Sequence, residues 1–253
     1  MQIAVLGASG LVGRACIDEL SLRGVDVIPL HRDEAIQASA DGLIVAAPVK
    51  MCDFNGPLVD CSGSLKTTFL SLPPILETDE KRKRVPNCMA SLIAQALAPL
   101  HKECKITSIL GTTMQASSGA GWRGVQALKQ SDTTKIFSGE LAHNVLPHEQ
   151  YEQEEAAIKS DLFKLFGCSV MTTSFRVPVF VGHLASLRVE TKEQALPKHL
   201  VESISFDPRS MENKREVAIG RVRINKKTTD LVVCGDQLLC GTAIPAVNLI
   251  LSA

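Results

Sequence analysis

The opening residues constrain the fold most. An apolar run at 2–6 leads straight into Gly7-Ala8-Ser9-Gly10-Leu11-Val12-Gly13. From Leu11 the apolar residues take helical spacing, with Val12, Cys16 and Leu20 on one face, until Gly24 stops the pattern. A strand passing through a glycine turn into a helix starts a parallel α/β sheet. Further apolar runs at 25–30, 42–49 and 56–61 are continuous rather than alternating, as expected of strands buried on both faces under covering helices. The runs at 43–49 and 57–61 leave no room for a crossover helix between them.

The same turn is a candidate anion site. Glycines permit a tight turn and close approach of a ligand, and the unpaired N–H groups of the following helix favour negative charge. Gly7, Ser9, Gly10, Leu11, Val12 and Gly13 are therefore candidates to hold a dinucleotide pyrophosphate. A tightly packed turn without a ligand is the competing reading. The second run ends in Leu30-His31-Arg32-Asp33. A basic residue there accommodates the extra phosphate of NADP, so Arg32 favours NADP, while the neighbouring Asp33 leaves NAD open.

The middle of the chain changes character. Pro73-Pro74 and the charged stretch 77–84 predict an irregular connection, with Lys81-Arg82-Lys83-Arg84 a solvated loop. After Cys88, the residues Met89, Leu92, Ile93, Ala96, Leu97 and Leu100 form one helical stripe. Strands are expected at 105–110, 169–181, 184–190, 217–224 and 230–234, with helices at 152–166 and 241–251. Early alternation followed by a strand-rich half predicts two domains.

Composition narrows the function classes. Lys plus Arg equals Asp plus Glu, 27 each, so no overall charge draws the chain to nucleic acid or an anionic membrane. No apolar stretch approaches the roughly 20 residues that span a bilayer. The eight cysteines form no CxxC pair and no Cys/His spacing suited to zinc, so no metal site is expected. With no signal-peptide pattern at the start, these features predict a soluble protein of the reducing cytoplasm.

Three segments carry candidate chemistry. Cys88 opens a helix, where backbone N–H groups and the dipole favour a thiolate. Arg176 and His183 lie seven residues apart in Arg176-Val177-Pro178-Val179-Phe180-Val181-Gly182-His183, expected as one strand. Between Cys88 and Arg176 lies Met114-Gln115-Ala116-Ser117-Ser118-Gly119-Ala120-Gly121. A nucleotide turn, a thiol, a base and a cation together indicate aldehyde or acyl-phosphate chemistry at cysteine.

These segments resemble the aspartate-semialdehyde dehydrogenase family over nearly the whole chain. The matches are GASGLVG at 7–13, Asn87-Cys88, MQASSGAG at 114–121, Asn144-Val145-Leu146-Pro147, RVPVFVGH at 176–183 and DQLLCGTA at 236–243. The resemblance implies an α/β fold with an N-terminal Rossmann-like dinucleotide-binding domain, 1–87 completed by 237–253. An α+β catalytic and dimerisation domain with a mostly antiparallel sheet would occupy 88–236, its second face covered in a homodimer. It implies Cys88 as nucleophile, His183 as general acid/base and Gln115 as the residue positioning the thiohemiacetal. Arg176 would bind the substrate carboxylate and Glu154 its amino group, with Glu155 competing, beside Asn87 and a phosphate-binding Lys66. Ser118 and Gly119 would join the cofactor site, and Cys88, Gln115, Arg176 and His183 would share one site. The implied reaction interconverts aspartyl phosphate and aspartate semialdehyde with NADP, in amino-acid and lysine biosynthesis.

Departures from the family pattern concern phosphate. Lys66 stands where the family has an arginine, and Ala157 where it usually has a lysine, with Lys159 displaced by two. Gln237 replaces the usual asparagine and Cys240 the usual lysine. These changes keep open another acyl-phosphate or acyl-thioester reductase, such as one for N-acetylglutamyl phosphate or malonyl-CoA. A non-catalytic paralogue is the remaining alternative, which the presence of Cys88 disfavours.

Overall fold

The structure, a computed structural model, describes residues 1–31, 40–50, 52–131, 136–204 and 206–253. The chain divides into two compact units, one of Met1–Cys88 with Leu238–Ala253 and the other of Met89–Gln237.

The first unit begins with β1 (Gln2–Leu6), α1 (Leu11–Leu22) and β2 (Asp26–Leu30). β3 (Gly42–Val45), β4 (Leu58–Asp60), β5 (Phe69–Leu70) and β6 (Arg82–Arg84) follow. All six strands are parallel, in the order β2-β1-β3-β4-β6-β5. The order reverses at β1: the chain leaves through α1 to β2 and returns to β3 on the other side. In open parallel sheets, ligands bind outside the carboxyl ends of strands at such a switch point. Here that end carries the Gly7–Gly13 turn.

Alternation along the strands divides the core. Ile3, Val5, Ile44 and Val59 face one side with Cys16 and Leu20 of α1. Ala246, Val247, Leu249 and Ile250 of the closing helix complete that layer. Ala4, Leu6, Leu43, Val45 and Leu58 face the other side and meet Phe54 and Leu65. The sequence spacing left no room for a crossover helix between β3 and β4 on this side. Among the described residues none between β3 and β4 is helical, so irregular chain with Phe54 at its tip takes the place of a crossover helix.

The basic run is a second correction. Arg82–Arg84 is not a solvated loop but β6, hydrogen-bonded between β4 and β5, with Lys83 buried. Arg82 Nη1 donates to Phe54 O at 3.0 Å and Nη2 to Cys52 O at 3.3 Å. Long basic side chains tolerate a strand position when the stems pack and the heads find carbonyls.

In the second unit, α2 (Cys88–Cys104) runs into β7 (Ile106–Gln115). A 3-10 turn at Ser117–Ala120 leads to α3 (Gly121–Lys129), a helix the sequence reading did not anticipate. Then come β8 (Leu146–Pro147), α4 (Tyr151–Phe166), β9 (Ser169–Arg176) and β10 (His183–Thr191). β11 (Ala218–Asn225) and β12 (Thr228–Gly235) close the sheet. Its order is β11-β12-β10-β7-β9-β8, antiparallel at every pairing except β7 with β9. The segment 169–181 is therefore not one strand. Arg176 ends β9, His183 begins β10, and the connection bends at Gly182, whose φ is +97°.

α4 packs on β9, and Phe166 of α4 stacks on His101 of α2, ring centroids 4.7 Å apart. The opposite sheet face places Leu110 beside Met171 and Met114 beside Phe175 in register. The chain ends in a π-helical turn at Leu239–Ala243 and α5 (Ile244–Leu251), which packs on α1, β3 and β4.

Gly13 seats α1 against the turn. A Cβ there would lie 2.1 Å from Gly7 O, backbone against helix, with no flexible group to yield. Gly13→Ala is expected to destabilise the chain by roughly 1–3 kcal/mol, the usual cost of overpacking. Urea unfolding checks this, and a midpoint equal to wild type would refute the tight contact.

Candidate active site

The expected site residues of the second unit gather around one residue, Ala116. The segment after β7 turns back at Ala116, whose N–H donates to His183 Nδ1 at 3.2 Å. The carbonyl of the same residue accepts from Arg176 Nη1 at 2.8 Å. Both rings of contact exist because β7 lies between β9 and β10, so the C-terminal end of β9 and the N-terminal end of β10 flank it. Ser117 N–H donates to Val179 O and Ser118 N–H to Phe180 O, which lashes the turn to the β9–β10 connection.

His183 is fully buried. Its Nδ1 accepts the Ala116 N–H, so the proton of the neutral ring belongs on Nε2, an assignment made from the hydrogen-bond partner. That Nε2 is buried with no hydrogen-bond partner among the described residues. Burial, and secondarily the Arg176 charge, hold the imidazole well below its usual pKa, so the ring is neutral at physiological pH. A Cβ on Gly119 would lie 2.6 Å from Arg176 Nη1 and 3.4 Å from His183 Nε2. Gly119 is thus the point at which cation and imidazole converge, and only glycine leaves both in place.

Arg176 is 1% exposed, and its guanidinium is almost fully engaged. Glu149 takes the Nε/Nη2 edge two-point, Oε2 at 3.2 Å from Nε and Oε1 at 2.6 Å from Nη2. His148 Nε2 lies 2.7 Å from Nη2 and must accept, since arginine has only donors. The Phe137 ring lies under the guanidinium at 5.6 Å. Burial lowers the His148 pKa, reinforced by Arg176. Burial alone would raise the Glu149 carboxyl, but the hydrogen bonds and charge of Arg176 hold it below the usual carboxylate range.

Gln115, buried at the end of β7, donates through Nε2 to Glu154 Oε1 at 2.8 Å and Thr113 Oγ1 at 3.3 Å. Glu155 points elsewhere and accepts the Ser174 N–H at 2.8 Å. Of the two candidates in α4, Glu154 is the one that reaches Gln115. Gln237 bridges two parts of the cluster, accepting the Gly182 N–H at 2.8 Å and donating to Ser118 Oγ at 2.7 Å. Sequence reasoning missed His148 and Glu149 altogether. Their only signal was position, directly after the Asn144–Pro147 turn that was recognised.

The remaining expected residues belong to the first unit. Cys88 is the first residue of the 17-residue α2, half-buried, with Asn87 before it. All eight cysteines are thiols, and burial pushes Cys168 up to about 11 and Cys234 to about 12. Lys66 is exposed and follows a turn tied by buried Asp60, which accepts from Ser62 N–H and Leu65 N–H. In the glycine turn, Gly7 and Ala8 donate to Leu30 O, and Gly10 caps α1 without a side-chain hydrogen bond. Arg32 lies outside the described residues. Among the described residues there is no group of three or more potential metal ligands and no helix long and apolar enough to cross a membrane.

Comparisons with known proteins agree with one another. The chain is 30% identical over 200 residues to an aspartate-semialdehyde dehydrogenase of Rickettsia conorii, covering 65% of this chain and 59% of that protein. One from Aquifex aeolicus is 26% identical over 212 residues, covering 68% and 62%. The chain thus spans about three-fifths of the length of the curated relatives it matches. Among solved structures, aspartate semialdehyde dehydrogenase II of Vibrio cholerae, complexed with ASA, superposes with a TM-score of 0.89 at 21% identity, covering 98% of this chain and 96% of that one. The Candida albicans enzyme with NADP superposes at 0.74 with 16% identity, covering 100% and 98%. At these identities the structural likeness establishes the α/β fold, with one all-parallel and one mixed sheet. Residues 97–240, more than half the chain, match the family model described as semialdehyde dehydrogenase, dimerisation domain, and the chain therefore belongs to the semialdehyde dehydrogenase family.

Proposed function

We propose that the protein is an NADP-dependent aspartate-semialdehyde dehydrogenase that works through a thioester at Cys88. The observation that carries the reading is the buried, unpartnered Nε2 of His183, held beside Gly119 and Arg176. A neutral imidazole with its other nitrogen occupied is a donor that lacks an acceptor. The oxygen of a thiohemiacetal supplies that acceptor. The relatives' names give the substrate class.

In this reading the Cys88 thiolate, favoured by the helix N-terminus, adds to the aldehyde carbon. His183 Nε2–H donates to the developing oxygen, as an acid in the reductive direction. Taking a proton in the oxidative direction requires the ring to release the Ala116 N–H, which makes Ala116 the partner that sets the tautomer. Gln115, fixed by Thr113 and Glu154, orients the adduct through its carbonyl oxygen. Phosphate then releases the acyl group, with Lys66 as a point charge in place of a bidentate arginine. The first unit suits a dinucleotide: a helix N-terminus capped by glycine, a positive-φ glycine turn and a switch point coincide. Gly7, Ser9, Gly10, Leu11, Val12 and Gly13 would hold the pyrophosphate, with Ser118 and Gly119 toward the nicotinamide. The nicotinamide, when bound, supplies the hydride acceptor.

The mixed sheet is proposed as a homodimer interface. Leu110, Met114 and Met171 are 40%, 37% and 70% exposed on one face, an apolar patch that a second copy would cover. Met171→Asp is expected to give a monomer in sedimentation analysis. An unchanged oligomer would remove this face from the interface.

The reaction has its own test. With aspartate semialdehyde and NADP, a stoichiometric NADPH burst is expected, followed by slow turnover that needs high phosphate. Losing one charge-assisted contact costs about 1.5–3 kcal/mol, or roughly 10- to 150-fold in phosphate affinity. Lys66→Arg should lower the phosphate requirement, and Cys88→Ala should abolish the burst while nucleotide binding persists. A burst retained without Cys88 would end the proposal; none in the wild type would favour the non-catalytic reading.

The His183 pKa supplies a pH test. Its folded value lies below the unfolded value, so its contribution to stability is complete above pH 6.5 and lost as pH falls below that. His148 acts in the same sense. Wild type should lose more stability than His183→Asn between pH 7 and 5 in urea unfolding, while His183→Asn lowers the rate by roughly a hundredfold at neutral pH. Identical pH dependence in the two proteins would contradict the assigned protonation.

A further inference from the structure

Arg176 has five N–H donors, and protein groups occupy four: Glu149 two, His148 one and Ala116 O one. The Nε/Nη2 edge is the one best matched to a carboxylate, and it already holds a carboxylate in two-point geometry. Glu149 is not locked away, since its side chain is 19% exposed against 2% for Arg176. The neighbourhood is also acidic. Glu154 stands on Gln115, Glu155 on Ser174 N–H, and Glu149 on the guanidinium itself. The guanidinium is therefore already neutralised by Glu149 before any substrate arrives, with two further carboxylates engaged by neighbouring residues.

We infer that Glu149 is a specificity-determining residue: a resident carboxylate that competes with the substrate's own for Arg176. The inference rests on the aldehyde-dehydrogenase reading above. A carboxylate-bearing semialdehyde gains the two-point contact only by displacing Glu149, so the contact it forms replaces an equivalent one already made. The carboxylate then adds little to recognition. Selection falls on the aldehyde end and on an amino group facing Glu154.

The test compares aspartate semialdehyde with 3-aminopropanal, which keeps the aldehyde and the amine but lacks the carboxylate. With the full chain, NADP and phosphate, kcat/KM for the two should differ by less than about tenfold, one charge-assisted contact being otherwise worth that much or more. Glu149→Gln should move the ratio by about tenfold or more toward aspartate semialdehyde, with Glu149→Asp moving it less. A wild-type preference for the carboxylate above tenfold, or a ratio unmoved by Glu149→Gln, overturns the inference. Should no aldehyde be oxidised, the reading beneath has failed, and competition is read without turnover. Succinate titrated into wild type and Glu149→Gln, followed by NMR, should bind the variant about tenfold more tightly, and equal affinity overturns it. Should Glu149→Gln not fold, the wild-type ratio decides, or, without turnover, wild-type succinate affinity, which submillimolar binding overturns.

Discussion

A buried guanidinium cannot shed its charge, so the protein around it must be arranged as acceptors. Arg176 imposes that arrangement on the second unit. It draws the Ala116 carbonyl, the Glu149 carboxylate and the His148 ring toward itself, and these three come from the end of β7 and from the segment between β8 and α4. Ala116 is the shared member. Its carbonyl is held by Arg176 and its N–H reaches His183, so cation and imidazole are positioned through the two successive peptide groups that meet at this one residue. The Nε2 donor of His183 is thereby set by the same residue that anchors the arginine.

The sequence made the regular elements readable wherever local pattern and burial agreed. The first strand, its glycine turn, α1, the stripe of α2 and α4 follow from periodicity alone. The family was legible from long motifs, above all MQASSGAG and RVPVFVGH. Pattern failed where neighbours distant in sequence decide. Arg176-Val177-Pro178 through His183 looks like one strand, yet Pro178 lacks a ladder donor and Gly182 turns at positive φ, so two strands share it. The basic run looked solvated because charge predicts exposure, but β4 and β5 enclose it as a ladder.

Within the candidate site, residue types were more legible than partnerships. Gln115, Arg176 and His183 could be picked from motifs, while Glu149 and His148 could not, because a Glu and a His next to a turn are ordinary surface residues. Only the burial of Arg176 gives them meaning. Gln237 is a similar case: the sequence showed only a departure from asparagine, and the structure shows a side chain that links Gly182 to Ser118.

The bare connection between β3 and β4 has an energetic consequence of its own. A helix satisfies its backbone internally, whereas irregular chain lying on a sheet must send its carbonyls elsewhere. Here Cys52 O and Phe54 O go to the side chain of Arg82, which belongs to a strand almost thirty residues later in the chain. Phe54 in turn covers Leu43, Val45 and Leu58. Opening of the connection therefore exposes core and strips β6 of its side-chain acceptors in the same motion. Connection and strand should unfold locally as one cooperative unit, with hydrogen-exchange protection rising and falling together in two segments that look unrelated in the sequence.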